Sequence, residues 1–292
     1  MTRILLTPGL GNQFFQAIAA LRCRLDDSMG QVVVSDRYLS NKHGGVLLST
    51  LPFIRGLDAV NARWMDNMAY LVWQRAGQLG VVRRAMGLLD FWIEPPLPWR
   101  TQCAQINYDA LPIHKTGAGY FQDVSFDVIG AVLGDLVNLS ALDNMLQEQD
   151  IRAAHCIHIR AGDYQAAGIY SQLDASYYLS AVRAVFRSAG EEVPWEIVTD
   201  NPDDSRVKDI YDTLRDYGVR LEPMSRRSAV QDMLRLINAR SLVCANSTFS
   251  VASAYIRSLR NGGSHPPCVP SAWFNTPELK APGFYAKNWI IH

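Results

Sequence analysis

The sequence predicts an α/β protein with two Rossmann-like domains, residues 1–150 and 151–292. Two observations support this prediction. Short apolar runs that end in glycine or small polar residues alternate with helical patterns, first near the start and then regularly after about residue 150. The chain has 292 residues and 48% hydrophobic content, which is enough for two cores and too apolar for extensive disorder. We expect the two domains to face each other across a cleft that binds the substrates.

The first domain opens with a strand–helix–strand pattern. A buried strand over 4–6 leads into the glycine turn 8–11, and apolar residues at helical spacing predict a helix over 12–24. Three consecutive valines at 32–34 predict the next strand. This order of elements is typical of α/β folds with parallel strands.

The stretch 52–99 has two interpretations. It holds four of the seven tryptophans, and a helix over 67–89 fits its periodicity. These residues form either ordinary core and surface or, alternatively, an acceptor wall or a peripheral membrane contact, because tryptophan and arginine suit both of the latter roles.

The second domain has a regular alternation of strands and helices. Strands are predicted over 156–160, 195–199, 219–221 and 242–245. The helices that follow them are predicted over 175–187, 203–217, 229–238 and 248–261. A capping box at Ser228 marks the start of the third helix, and Ser247 or Thr248 caps the fourth. Repeated units of this kind predict a parallel sheet covered by helices.

Charge and cysteine content exclude several classes of protein. The counts of basic and acidic residues are 28 and 28, and zero net charge argues against a nucleic-acid partner. The five cysteines include no CxxC pair, so we expect reduced thiols and no bound metal. The first apolar run is too short for a signal peptide, and no run predicts a transmembrane helix. We expect a cytoplasmic protein, with peripheral contact to the inner membrane as an open alternative.

Ligands of open parallel sheets bind beyond the carboxyl ends of the strands. The first such end is the segment Gly9-Leu10-Gly11-Asn12-Gln13. Its two glycines allow a ligand to approach the backbone, and Asn12 and Gln13 can hydrogen-bond to it. The third glycine of the dinucleotide fingerprint is missing. The segment is therefore either a ligand-binding turn or a plain connection between strand and helix.

The next strand carries two functional candidates on one face. His158 and Arg160 are two residues apart and point the same way. An arginine at a strand end offers a fork that suits phosphate oxygens. The alternative is that Arg160 pairs with Asp163 and that His158 is a core histidine.

Three further polar positions lie at strand or helix ends. Asp200 follows a strand and begins an Asx turn. Asn246, Ser247 and Thr248 follow another strand and open a helix, whose free N–H groups suit a phosphate. Simple helix capping explains the same hydroxyls. Asp232 lies on the preceding helix, where a solvated carboxylate is the ordinary interpretation.

Several segments together resemble the bacterial-type α-1,2-fucosyltransferase family, which is classified with glycosyltransferase family 11. The matching segments occur in the family's order along nearly the whole chain: Gly9-Leu10-Gly11-Asn12-Gln13-Phe14-Phe15-Gln16, Gly119-Tyr120-Phe121-Gln122, His158-Ile159-Arg160-Ala161-Gly162-Asp163-Tyr164, Thr199-Asp200-Asn201, Asn246-Ser247-Thr248-Phe249-Ser250 and Pro270-Ser271-Ala272-Trp273-Phe274. The order of the segments is more specific than any single one of them.

The resemblance implies a GT-B-like fold and an inverting transfer of L-fucose from GDP-fucose, without a metal or other cofactor. The acceptor would be a hydroxyl of an oligosaccharide or surface polysaccharide, including lipid-linked forms, and the 2-OH of galactose by family analogy. Arg160 would grip the β-phosphate of the leaving GDP, and Asn12 would reach the sugar or diphosphate. Under this assignment the first domain binds the acceptor and the second binds the donor.

The resemblance also implies a set of substrate-binding residues. They are His158, Asp232, Asn246, Ser247, Thr248, Gly11, Gln13 and Asp200. Ser247 and Thr248 would bind phosphate, and His158 and Asp232 would organise the guanine pocket.

Two positions depart from the family pattern. Ala161 replaces the second arginine of the HxRRGDY motif, and Val251-Ala252 replaces a tryptophan pair. Either another basic residue, Arg226 or Arg227, supplies the missing charge, or donor use has changed. Candidates for the general base are Asp36, Asp123 and Asp163.

Two other functions fit the same sequence. A nucleotide-sugar-binding protein with impaired catalysis would explain Ala161. An NAD-dependent oxidoreductase would explain the glycine turn and the strand that ends at Asp36.

Overall fold

The computed structural model describes residues 3–22, 30–34, 46–62, 91–93, 116–118, 126–162, 170–186, 194–275 and 283–292, together with Trp64, Asp66, Met68 and Leu71. The chain forms two compact units. The first unit is Met1–Leu142 with Pro282–Phe284, and the second is Asp143–Ala281 with Tyr285–His292.

The first unit contains a five-stranded sheet in which every pairing is parallel. Its strands are β1 Arg3–Leu5, β2 Gly30–Val34, β3 Leu57–Asn61, β4 Phe91–Ile93 and β5 Thr116–Ala118. They stand in the order β3-β2-β1-β5-β4. The switch in strand order therefore lies between β1 and β5, so the carboxyl end of β1 faces the natural binding crevice of this unit.

Helix α1, Leu10–Arg22, follows β1 directly and packs against β2. It is buried along most of its length, and Phe14, Phe15 and Ile18 are fully covered. A short 3-10 helix, Leu48–Thr50, contacts α1. Helix α2, Phe126–Leu136, also packs on α1, and α3, Leu139–Glu148, follows it at the border of the two units.

The second unit contains another all-parallel sheet, in the order β10-β9-β8-β6-β7. The strands are β6 His155–Ile159, β7 Trp195–Thr199, β8 Ser241–Val243, β9 Cys268–Val269 and β10 Ile290–Ile291. Strands β6, β7 and β8 carry almost entirely buried side chains, as a sheet covered on both faces requires.

In the described part of this unit, four helices connect these strands. They are α4 Ala175–Phe186, α5 Ser205–Asp216, α6 Ala229–Ile237 and α7 Thr248–Arg260. Side chains cap the last three: Asp204 caps α5, Ser228 forms a capping box on α6, and Ser247 caps α7. The predicted α/β class with two Rossmann-like halves is thus confirmed, as are the predicted helix starts at 228 and 247.

One predicted strand is wrong. Residues 219–221 make a single parallel bridge between Leu221 and Trp195 and no ladder. The Trp195 N–H donates to Arg220, and its carbonyl accepts from Glu222. Pro223 follows directly, and proline beside a strand is typical of strand ends and sheet edges.

A buried arginine ties α7 to the amino-terminal side of the sheet. Arg257 is 1% exposed. Its guanidinium donates to the backbone carbonyls of Ala239, Arg240 and His265 at 2.7, 2.6 and 2.7 Å. Burial lowers the pKa of Arg257, with the carbonyls supplying the hydrogen bonds that a carboxylate would otherwise provide.

Among the helices of the described residues, none is long and apolar enough to cross a bilayer. The predicted helix over 67–89 falls almost wholly outside the described part of the chain, so its two interpretations stay open. The thiols of Cys156, Cys244 and Cys268 are free and buried. Burial raises the pKa of Cys156 and of Cys268 to about 12, which makes both unreactive at neutral pH.

Candidate functional site

The binding crevice of the second sheet lies between β6 and β8. Read from the β7 edge, the strand order of this unit is β7-β6-β8-β9-β10. When the five strands are numbered by their position along the chain, this is the order 2-1-3-4-5. In sheets of this order the ligand binds beyond the carboxyl ends of the first and third strands. The segments at these ends are Arg160–Gly162 and Cys244–Ser247. Sequence-predicted site residues therefore lie at the one position that the topology singles out in this unit.

Arg160 pairs with Asp200 across neighbouring strands. Ile159, the last residue of β6, is in register with Thr199, the last of β7. The residues that follow these two therefore emerge side by side, and Nη1 of Arg160 lies 2.9 Å from Oδ2 of Asp200. The side chains are 15% and 28% exposed, so the pair is accessible to a ligand. The alternative partner, Asp163, is outside the described residues.

Asp200 also organises the backbone after Arg160. Its Oδ1 accepts a hydrogen bond from the Ala161 N–H at 2.9 Å. A Cβ at Gly162 would lie 2.4 Å from Oδ2, closer than any real contact, so glycine is required while the carboxylate holds its place. On the other side, Nη2 of Arg206, in the first turn of α5, donates to the Arg160 carbonyl at 2.5 Å.

Ala161 has a different role from the one that its position in the motif suggested. Its side chain is fully buried and belongs to the hydrophobic cluster that includes Ile159 and Tyr178. A second arginine at this position would have to enter that core. Ala161 is therefore a packing residue in this protein, and no cation has been removed from the crevice surface.

His158 is a buried, neutral histidine. It is 3% exposed and its ring lies 5.5 Å from that of Phe249, in the first turn of α7. Burial lowers the pKa of His158 well below its ordinary value, an effect that Asp200 opposes and Arg160 reinforces. This contact links the end of β6 to the start of α7.

The start of α7 is built from small polar residues. Ser247 is the N-cap, and its hydroxyl accepts from the Phe249 N–H at 3.3 Å. Thr248 is the first helical residue and is 9% exposed. Asn246 uses its amide nitrogen internally, donating to the carbonyls of Ser171 and Trp273 at 2.9 and 3.1 Å. Any contact of Asn246 with a ligand must therefore be made through its amide oxygen.

Asp232 lies in a cluster of alternating charges beside the same crevice. Arg235 donates to both carboxylate oxygens of Glu196 at 2.9 Å. Nη2 of Arg227 lies 3.9 Å from Oε2 of Glu196, and its Nη1 lies 3.9 Å from Oδ1 of Asp232. These four side chains are only 13–22% exposed. Asp232 is thus a buried carboxylate rather than the solvated one that its position on a helix suggested.

The environment of Asp232 disfavours its charge. Burial raises the pKa of Asp232 to about 6, because desolvation, together with Asp200 and Glu196, outweighs the attraction of Arg227 and Arg235. A carboxylate kept at such a cost is more typical of a binding group than of a structural one. The other candidate cation, Arg226, is exposed and pairs with Asp203.

In the first unit, the polar side chains that follow β1 form hydrogen bonds within the protein. Gly9 has a φ of 93°, which explains the glycine at this turn. Gln13 is fully buried; its amide nitrogen donates to Val46 and its oxygen accepts from Leu48, at 3.0 and 2.7 Å. Gln13 therefore holds the 46–48 segment in place. Asn12, half-buried, donates to the Pro8 carbonyl at 3.2 Å.

The same turn argues against a dinucleotide site. Gly11 is buried inside α1, and the position of the third fingerprint glycine is occupied by Phe14, which is fully buried against Phe15. That glycine normally allows close packing of helix on strand. A phenylalanine there prevents such an approach.

Sequence patterns did not indicate Glu196, Arg206 or Arg235. A usable signal existed for Glu196, since a charged residue inside a strand predicted to be buried requires a partner. The three general-base candidates, Asp36, Asp123 and Asp163, all lie outside the described residues.

A cavity of about 570 Å³ lies near the amino-terminal ends of strands β6 and β8, opposite the ends that carry the candidate site. Its lining includes Ile151, Asn238 and Arg260, which precede the amino ends of β6 and β8 or end α7. We place the candidate site at the carboxyl ends of the strands rather than in this cavity, because Arg260, which lines the cavity, is already hydrogen-bonded to Asp143 and Asn238. Within the described ranges, no group of three or more potential metal ligands occurs.

No protein-family model matches the sequence, and no curated protein matches it. Several solved structures resemble the chain, and they include the following three. The heptosyltransferase WaaC of E. coli with ADP is 11% identical, with a TM-score of 0.46 over 99% of this chain and 92% of that chain. A family 9 glycosyl transferase from Veillonella parvula is 10% identical, with a TM-score of 0.46 over 100% and 86%. POFUT1 in complex with GDP-fucose is 11% identical, with a TM-score of 0.42 over 92% and 97%.

Proposed function

We propose that this protein is an inverting glycosyltransferase that transfers L-fucose from GDP-fucose to a hydroxyl of a glycan, with the 2-OH of galactose as the first acceptor to test. The observation that carries the proposal is the set of groups at the switch point of the second sheet. An accessible arginine and a helix start lie beyond the neighbouring strands β6 and β8, and a buried carboxylate lies on α6, the helix that precedes β8, which suits a diphosphate joined to a base. The choice of fucose and of guanine rests on the motif resemblance.

In this proposal the second unit binds the donor. Arg160 donates to the β-phosphate, and the first N–H groups of α7, with the hydroxyls of Ser247 and Thr248, bind the same phosphates. Asp232 accepts hydrogen bonds from the N–H groups of the guanine edge. His158, neutral and packed on Phe249, shapes the pocket without adding charge.

The reaction breaks the bond between the fucose anomeric carbon and the β-phosphate oxygen. The acceptor hydroxyl attacks from the opposite face, so the anomeric configuration inverts, and its proton passes to a base or to solvent. The negative charge that develops on GDP is the main demand on the protein. Arg160, fixed beforehand by Asp200, meets this demand without reorganisation. Asn12 and the turn after β1 are assigned to the acceptor half.

The proposal is tested by incubating the purified protein with GDP-fucose and a panel of galactosides, read by mass spectrometry. We expect a product that is heavier by one fucosyl group, formed equally well with EDTA present. Tight binding of GDP-fucose without any product would favour the impaired binding protein. A thermal shift with NAD and none with GDP would favour the oxidoreductase.

Replacing Asp232 by asparagine should stabilise the protein and weaken nucleotide binding at the same time. The folded-state pKa, about 6, lies above the ordinary value of 3.8, so the folded chain loses stability as pH rises between these values. Asparagine imitates the protonated form and should raise the free energy of unfolding at pH 7 by about 2–3 kcal/mol. GDP affinity should fall by roughly 10- to 100-fold, as for a lost charged hydrogen bond.

The matched control is Asp212→Asn, on the exposed side of α5, which should change neither quantity. In the unmodified protein, the affinity for GDP-fucose, whose phosphates do not titrate near pH 6, should also decline as the pH is lowered through about 6, and Asp232→Asn should remove this step. Titration calorimetry between pH 5 and 8 measures it. Unchanged GDP affinity in Asp232→Asn would exclude the residue from the nucleotide site.

A further inference from the structure

One carboxylate determines the conformation of three consecutive residues at the end of β6. Asp200 holds the guanidinium of Arg160 through Oδ2 and the N–H of Ala161 through Oδ1, both at 2.9 Å. The same Oδ2 occupies the space where a Cβ of residue 162 would stand, 2.4 Å away. The ion pair and the close approach to residue 162 share Oδ2, whereas the backbone hydrogen bond uses Oδ1; of the three, the ion pair requires the charge of a carboxylate.

The exposure of the pair indicates more than a structural role. Arg160 and Asp200 are 15% and 28% exposed, and a pair with such access to solvent contributes little to stability. What the pair does change is the freedom of the arginine, whose side chain has large rotational entropy when unpaired. A guanidinium has five N–H donors, more than one carboxylate oxygen can occupy. The cation can therefore bind a phosphate while Asp200 still holds it.

A second contact, from Arg206 of α5, fixes the backbone at Arg160. Arg206 donates to the carbonyl of Arg160 and also bonds the side chain of Gln172. The backbone at Arg160 is thus fixed by α5, and its side chain by Asp200. Both contacts leave the strand end in one conformation before any ligand binds, which is how a protein avoids the ordering cost at binding.

We propose that Asp200 is a positioning residue that orients Arg160 toward the diphosphate, and that glycine is required at position 162 to admit the carboxylate. This inference rests on the donor site proposed above, but it concerns the phosphate-binding group alone. It reassigns Asp200 from direct substrate binding to the support of Arg160.

The inference is tested by titration calorimetry with three probes: GDP, guanosine and inorganic pyrophosphate. Asp200→Asn keeps the size of the side chain and removes its charge. We expect it to weaken the binding of GDP and of pyrophosphate by about 10-fold, the size of one charged hydrogen bond, and to leave the affinity for guanosine unchanged. Asp212→Asn serves as the matched control, since it removes a carboxylate that pairs with Arg215 on the surface of α5.

A second pair of variants tests the space that Asp200 occupies. Gly162→Ala should weaken the binding of GDP and of pyrophosphate as Asp200→Asn does, because the new methyl group displaces the carboxylate. In the background of Asp200→Ala, the same Gly162→Ala change should cost nothing further. This pair keeps the test decisive if Asp200→Asn folds poorly.

Each other outcome overturns a specific claim. An equal loss for guanosine and GDP would make Asp200 merely structural, and an unchanged or higher affinity for pyrophosphate would show that it does not support Arg160. Additive losses in the double variant would exclude the role of Gly162. If the unmodified protein binds pyrophosphate but does not prefer GDP to ADP, only the donor assignment fails. If it binds no phosphate probe, both proposals fail.

Discussion

Arg160→Ala should reduce kcat/KM for transfer from GDP-fucose by roughly 10²- to 10³-fold, the usual effect of removing one preorganised donor from a developing negative charge. The reason is that Arg160 is the charged side chain at the end of β6 and is already oriented by Asp200. The fold should persist, because the lost ion pair is partly exposed and contributes about 1 kcal/mol or less. Initial rates, read by mass spectrometry of the product, measure the effect.

Two further variants sharpen this test. Arg160→Lys keeps the charge but loses the planar fork, so it should recover only part of the lost rate. Arg215→Ala removes an exposed arginine of α5 and should leave the rate unchanged. Near-normal transfer by Arg160→Ala would remove the residue from its assigned role.

Arg257→Met should lower the free energy of unfolding of the second unit by about 3–5 kcal/mol, since it leaves three backbone carbonyls without their donor, one of them in a buried hydrogen bond. Methionine fills the space of the apolar stem but supplies no hydrogen bond to Ala239, Arg240 or His265. Removal of a desolvated charge offsets part of the loss. Urea unfolding followed by tryptophan fluorescence measures the difference.

Arg260→Met is the matched control, three residues further along α7. Arg260 bonds side chains at the surface and is 34% exposed, so its loss should cost less than about 1 kcal/mol. If the two variants unfold alike, the carbonyls around Arg257 are satisfied by other means, and the guanidinium is not the anchor of α7.

The sequence was most informative where local patterns decide the structure. Unlike the two-residue strands β9 and β10, strands β6, β7 and β8 were predictable because each is a short buried run, and the helix starts at Ser228 and Ser247 were predictable from their capping residues. The strands β3 and β5 were not, since Leu-Asp-Ala-Val-Asn and Thr-Gly-Ala are neither apolar runs nor clear alternations. Their positions in the sheet are set by long-range pairing.

The candidate site was only partly predictable for the same reason. Residue types placed Arg160 and Ser247 at strand ends, and the topology brings those ends together. The partner of Arg160 was not predictable, because Asp200 is 40 residues away and reaches it only through the pairing of β6 with β7. The burial of Ala161 was hidden in the same way: a motif shows which residues follow one another, not which of them faces the core.

The return of the chain to its first unit at Pro282–Phe284 limits how the molecule can be divided. Phe284 is fully buried, and its ring lies 5.0 Å from that of Phe15 in α1. A fragment that ends at Leu142 would lack this ring and leave a hole in its own core, with the cost of a large-to-small core substitution. Exchange of the second unit for another would therefore have to keep residues 282–284 with the first unit. A single crossover point cannot do so, whereas an insertion with two junctions can.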